Sequence, residues 1–113
     1  MSMDKPDQLF KALSDETRLR ILNLLAQREH CVCEFQAILR IPQPRISRHL
    51  AYLRRTGLVE VNKCGRWVTY SLAKPRNSVH ASLVQCIKSC FREINFLQRD
   101  IGRGRKTAPV KCV

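Results

Sequence analysis

At 113 residues the chain has the length of a single domain, and at 44% hydrophobic it has enough apolar side chains to fold, although so small a domain leaves much of its surface uncovered. A net charge of +12 favours a polyanion, nucleic acid first, and no apolar run approaches the ~18 residues a membrane helix requires. The opening MSMDKPDQLF carries acids where a secretion signal needs cations and then a long apolar stretch, so a cytoplasmic protein is expected.

The charge is unevenly placed: −1 over residues 1–39, +6 over 40–66, +3 over 67–98 and +4 over 99–113. Six cysteines without a secretion signal argue against a disulfide framework. Core thiols, ligands for a soft ion, or redox sensors remain.

Along the chain, Leu9, Phe10 and Leu13 predict a short first helix. Ser14 is placed to cap a second, from Asp15 to about Gln27, with Asp15 and Glu16 at its positive end and Ile21, Leu22, Leu24 and Leu25 as its buried stripe. Cys33 to Leu39 forms a short third helix, and Ile41-Pro42 turns the chain into Gln43–Thr56. In that segment Ile46, Leu50 and Leu53 share one helical face, while Arg45, Arg48, His49, Tyr52 and Arg55 fall mostly on the other. Pro44 suits its first turn and Gly57 its stop. Two helices joined by a tight turn, the second apolar behind and basic in front, make a helix-turn-helix whose second helix suits a DNA major groove. An anionic membrane is the weaker partner, because the basic helix does not pair its cations with an exposed Trp or Phe face.

Leu58, Val59 and Val61 then begin a strand, Asn62 to Arg66 turns at Gly65, and Trp67, Val68, Tyr70 and Leu72 return. This hairpin is a wing, with Lys63 and Arg66 at its tip for phosphates or the minor groove. After Lys74-Pro75 one long helix is expected from about Asn77 to Asp100. Its Leu83, Ile87, Cys90, Ile94, Leu97 and Ile101 alternate in steps of four and three, a near-heptad seam suited to a dimer interface. The fold expected is mainly α with a β-hairpin wing (α+β): one domain over residues 1–100 and a flexible basic tail over 101–113.

Cys31 and Cys33, at the start of the third helix, are separated by one residue, so two thiolates can converge on one thiophilic centre such as trivalent arsenic or antimony. A helix N-terminus there is expected to lower the thiol pKa. Cys86 and Cys90, at i and i+4, either grip a soft ion jointly or fill the dimer seam; the seam is the reading preferred. Cys64 is read as exposed and reactive, and Cys112 as a flexible ligand or a bystander. Cys86 to Arg92 also reads C-x5-R, the spacing of some phosphatases and arsenate reductases. That chemistry needs free backbone amides around an oxyanion, which a continuous helix without glycine does not offer, so no enzyme is expected. His30, His49 and His80 are read as surface or DNA-facing groups.

The segments FKALSDETRLRILNLL, HCVCEF, PQPRISRHLAYLRRTGLVEV and GRWVTYSL resemble the ArsR/SmtB family of winged-helix repressors, and within it the arsenite-responsive branch. The resemblance implies a homodimer on palindromic double-stranded operator DNA that dissociates when a metal or metalloid binds, with no resident cofactor. Matching to the family's reading helix gives Gln43, Arg45, Ser47, Arg48 and His49 to bases and phosphates, with Arg55, Lys63 and Arg66 holding the backbone. The inducer implied is trivalent arsenic or antimony, or a methylated arsenical, held by Cys31 and Cys33. Where the family carries a third cysteine on this helix the chain has Gln36. The third position then falls to hydroxide, to an organic substituent, or to Cys64, Cys86, Cys90 or Cys112. Some relatives hold zinc on the terminal helix; the aligned positions Ser78, His80, Phe91 and Ile94 retain one ligand of four. The family's usual serine cap on the reading helix is Pro42 here, so Gln43 or the turn must satisfy the first amides. A thiol-redox switch on the same winged helix is the alternative trigger.

Overall fold

The computed structural model describes residues 6–106. Six helices and a two-stranded hairpin follow in the order α1 (Pro6–Leu13), α2 (Glu16–Leu25), α3 (Val32–Leu39), α4 (Gln43–Arg55), β1 (Val59–Cys64), β2 (Trp67–Leu72), α5 (Ser78–Cys90) and α6 (Asn95–Lys106). A 3-10 turn, Phe91–Glu93, joins the last two.

The cap of α2 is Asp15 rather than Ser14. The Asp15 carboxylate accepts from the Arg18 amide at 2.9 Å, while the Ser14 hydroxyl donates back to the Lys11 carbonyl at 2.8 Å. An anion at the positive helix end is the stronger partner. Leu9, Ile21, Leu22, Leu24, Phe35, Ile38, Ile46, Leu50 and Leu53 are each at most 1% exposed and form one core between the first four helices. Each such side chain contributes about 1.5–3 kcal/mol. Phe10, one of the three apolar residues that predict α1, is 56% exposed.

α3 ends at Arg40, in the left-handed region (φ 58°, ψ 43°), and Ile41 and Pro42 complete the turn into α4. With no capping side chain at Pro42, its carbonyl accepts from Arg45 N at 3.0 Å and Ile46 N at 3.2 Å. At the far end the Thr56 hydroxyl donates to the Leu53 carbonyl at 2.8 Å, and Gly57 takes φ 83°, which suits glycine. β1 and β2 pair antiparallel from Val59↔Leu72 to Cys64↔Trp67. Asn62, Lys63 and Cys64 therefore belong to the ladder, and the turn is only Gly65–Arg66, with Gly65 at φ 60°.

The single terminal helix expected over 77–100 is not formed. α5 stops at Cys90, Ile94 is extended (φ −103°, ψ 113°), and α6 folds back onto α2 and α3. The physical reason is that Leu97 (1% exposed) and Ile101 (9%) find burial inside the chain's own core. Asp100, 1% exposed, takes two hydrogen bonds from Arg20 at 2.8 and 2.9 Å, and Asn23 donates to the Leu97 carbonyl at 3.1 Å. Residues 101–106, expected in a flexible tail, are the helical end of α6; residues 107–113, the rest of that tail, lie outside the described residues. Among the described residues no helix is long and apolar enough to cross a membrane.

Candidate nucleic-acid interface and thiol centre

α4 presents its inner face, Ile46, Leu50 and Leu53, to the core and leaves Gln43, Arg45, Ser47, Arg48 and Arg55 exposed. Lys63 and Arg66 are exposed at the hairpin. Among the described residues, none of Arg45, Arg48, Arg54, Lys63 or Arg66 is held in an ion pair, so their charge is presented to solvent. His49 and Tyr52 sit differently, half-buried on the flank of α4 that meets α2. His49 Nδ1 lies 3.9 Å from the Asp15 carboxylate, and the Tyr52 ring lies under the Arg18 guanidinium at 4.3 Å, with Arg55 at 5.7 Å. Burial first, and then the arginines around it against the pull of Asp15, lowers the His49 pKa. Between α4 and β2 lies a cleft of about 400 Å³ lined by Ser47, Ala51, Arg54, Arg55 and Tyr70. Arg54 is absent from the sequence-based set. Its signal was the i, i+4, i+7 spacing from Ser47 through Ala51.

The thiol pair opens α3. Cys31 is the N-cap and 6% exposed, Cys33 is exposed, and both are free thiols, one residue apart at the head of the helix. Burial pushes the Cys31 thiol up to about 12, and the Cys33 thiol and the Glu34 charge add to it. The lowering expected from the helix terminus is thus reversed at Cys31: desolvation outweighs the one favourable contact, from the Glu34 amide.

Glu34 is the buried carboxylate of this centre. One oxygen accepts from the Cys31 amide at 3.1 Å; the other meets Arg28 at 2.7 Å and His30 Nδ1 at 3.2 Å. Burial alone would raise the Glu34 pKa, but the Cys31 amide and Arg28 together outweigh it and hold the group below its ordinary value. Arg28 also donates to the Gly104 carbonyl of α6 at 3.3 Å. His30, expected at the surface, is 1% exposed, and burial and Arg28 lower its pKa. Its backbone exchanges two hydrogen bonds with Tyr70 of β2, at 3.1 and 2.7 Å. The residue preceding Cys31 is thereby stitched to the wing. Sequence reasoning missed this network, whose one visible signal was Glu34 at the third position after an N-cap.

Gln36 is exposed on α3, and among the described residues no cluster of three or more His, Cys, Asp and Glu could hold a metal. Cys86 and Cys90 are both exposed on α5 of the single chain, and Cys64, read as reactive, is disulfide-bonded. Cys112 lies outside the described residues. His80 is fully buried, not at the surface, and its Nδ1 accepts from the Arg76 amide at 3.3 Å. Cys86 lies inside α5, away from any loop of free amides, while Arg92 falls in the 3-10 turn.

A helix-turn-helix with an exposed cationic reading helix, followed by a charged hairpin, defines a winged-helix DNA-binding regulator. A profile of the bacterial regulatory protein, arsR family, matches residues 15–61. The arsenical resistance operon repressor of Escherichia coli K12 is 42% identical over 105 residues, covering 91% of this chain and 90% of that protein. The arsenic resistance transcriptional regulator ArsR2 of Pseudomonas putida KT2440 is 49% identical over 71 residues, 62% of each chain. HlyU from Vibrio cholerae N16961 superposes with a TM-score of 0.64 at 33% identity, over 78% of this chain and 89% of that one. The chain belongs to the ArsR family of winged-helix transcriptional regulators, whose domain binds double-stranded DNA.

Proposed function

We propose that the protein is an arsenical-responsive repressor that holds operator DNA as a homodimer and releases it when trivalent arsenic bridges Cys31 and Cys33. The observation that carries this reading is the pair of free thiols, one buried and one exposed, at the N-cap and first turn of the first helix of the helix-turn-helix. Gln43, Arg45, Ser47 and Arg48 face the major groove, with His49 at its margin. Arg55, Lys63, Arg66 and Arg54 hold phosphates. Tyr52 acts by fixing Arg18 and Arg55 rather than by reading a base. Subunits meet through α1 and α5, where Phe10 and Val79 (56% and 37% exposed) border an apolar groove of about 320 Å³.

The thiol chemistry suits an arsenous hydroxide. Two As–O bonds break, two As–S bonds form, and each thiol proton leaves with a hydroxide as water. No prior thiolate is needed, which fits a thiol as weakly acidic as Cys31. A divalent soft cation would have to expel two protons into solvent. With two sulfurs in place, the third arsenic position keeps its hydroxide or an organic substituent.

Drawing buried Cys31 toward arsenic disturbs the amide that Glu34 holds. The change has two short routes to DNA: Arg40–Pro42 into α4, and the His30–Tyr70 bridge into the wing. A coupling of about 1–3 kcal/mol is enough for release. Fluorescence anisotropy of the protein on its own upstream DNA, titrated with arsenite, tests the reading. Arsenite should release the wild type but leave Cys31→Ser/Cys33→Ser bound. Release of both proteins, or of neither, overturns it.

A further inference from the structure

Three cations from three elements border one cleft that neither the DNA surface nor the thiol centre uses. Lys88 of α5, Arg92 of the 3-10 turn and Arg105 of α6 line a space of about 200 Å³, with Gln27, Gln98 and buried Asn23 beside them. Lys88 lies about two and a half helical turns beyond Val79, so it stands on the opposite face of α5 from the one given to the partner subunit. No carboxylate lines the cleft, and among the described residues none of the three cations is held in an ion pair. The walls are fixed: Asn23 donates to the Leu97 carbonyl at 3.1 Å, and Gln98 to the Phe91 carbonyl at 3.4 Å. Lys88 and Arg105 fall in the last turns of their helices, and α2 also ends beside the cleft. A helix C-terminus carries about −0.5, so three of them offset only about half of the positive charge.

We infer that this cleft binds a small, doubly charged tetrahedral oxyanion of the phosphate type. Two guanidinium forks and an ammonium group offer charged donors from three sides, and the exposed Gln27 carboxamide adds a neutral one. The charge left over after the helix ends suits a dianion better than a halide. No lining residue belongs to α4 or the hairpin, so the site is separate from the DNA surface. An anion held there ties α6 to α5 and the 3-10 turn. Arg105 directly follows Gly104, whose carbonyl accepts from Arg28, and Arg28 holds Glu34. Occupancy therefore steadies the end of α6 against which the thiol centre is braced. The site does not depend on the arsenical reading.

Inorganic phosphate titrated into the full nitrogen-15-labelled chain, with chloride withdrawn to hold ionic strength constant, tests the site by NMR. The backbone amides of Arg92 and Arg105 and the side-chain amides of Gln27 and Gln98 should shift and saturate together. Sulfate, of the same shape and charge, should compete. Shifts that never saturate, or that are led by α4 and the hairpin, overturn the proposal as diffuse attraction to a basic protein. Lys88→Gln/Arg105→Gln, both at exposed positions, should bind phosphate about tenfold more weakly, the scale of two partly screened charge contacts. Affinity retained in that variant overturns the site. Lys74→Gln/Arg76→Gln removes the same charge from the β2–α5 connection and should bind as wild type; an equal loss there shows that net charge alone is at work and overturns the site. Phosphate should also raise the thermal unfolding midpoint of the wild type and not that of Lys88→Gln/Arg105→Gln, and an equal rise in both overturns it. If a short duplex of unrelated sequence saturates these four resonances while inorganic phosphate leaves them unmoved, the cleft belongs to DNA and the small-anion assignment fails.

Discussion

A single buried carboxylate, Glu34, ties the thiol pair to the rest of the fold. It accepts the Cys31 amide, pairs with Arg28, and meets His30. Replacing Glu34 with Gln keeps the shape and removes the charge that Arg28 and His30 face. We expect a loss of about 2 kcal/mol in urea unfolding, the scale of a hydrogen bond to a charged group. Cys31 should also react faster with a soluble disulfide reagent, because the Glu34 charge that helps to raise its thiol pKa is gone. The ionisation has a sign. Glu34 is held below its ordinary 4.5, so its contribution is present above that pH and is lost as pH falls through the folded value. His30 and His80 are both held below 6.5, in each case by burial first. The unfolded chain accepts protons there that the folded chain refuses, so stability also declines as pH drops below about 6.5. Urea midpoints measured from about pH 7 to about pH 5.5 should fall in the wild type, and less steeply in His80→Gln. A flat profile would show that neither histidine remains neutral in the folded state.

At the scale of elements, the terminal segment separates what periodicity reveals from what it hides. Ile46, Leu50 and Leu53 announced the buried face of α4, because a helix between a core and solvent has only one way to place a 3.6-residue stripe. Leu97 and Ile101 announced burial too, but spacing alone does not say against what. A continuous helix would have offered them to a partner; the break at Ile94 gives them to α2 and α3, with Asp100 held by Arg20. Nothing in the string of residues joins Arg20 to Asp100, eighty positions away. The same limit hid Glu34, His30 and Tyr70, whose meeting depends on the wing returning beside α3. The thiol pair was legible as a pair, but its burial, which reverses the acidity expected of Cys31, was not. Two substitutions probe α6. Asp100→Asn removes the charge from a buried bidentate pair and should cost about 3 kcal/mol in urea unfolding. Gly102→Ala adds a methyl that meets nothing within 4 Å in a helical position, and should raise stability by about 0.5–1 kcal/mol. If Gly102→Ala is destabilising, α6 is not helical there in solution.

For the molecule as a whole, a net charge of +12 gathered on α4, the wing and the C-terminal end makes DNA affinity steeply dependent on salt. The individual cations are nevertheless separable. Lys63 and Arg66 sit on the two sides of the hairpin tip, where the proposed reading gives them phosphate contacts and no base information. Gln43 and Arg45 open α4, the position from which the proposed reading has side chains reach base edges. Lys63→Ala should therefore weaken binding to the operator and to unrelated duplex by similar factors. Each lost phosphate contact lowers the slope of log K against log salt by about 0.9, so a dimer laying down two wings should lose about two. Gln43→Ala should leave the slope nearly unchanged and weaken the operator selectively. The chain contains one tryptophan, Trp67, 39% exposed at the start of β2 and paired across the hairpin with Cys64. Its fluorescence reports on the wing without a label. It should change when operator DNA binds, and by less in Lys63→Ala at equal occupancy, because the tip is then held less closely. If Lys63→Ala left both the salt slope and the Trp67 signal at their wild-type values, the hairpin would be a stabilising element only, and the phosphate contacts would belong to α4 alone.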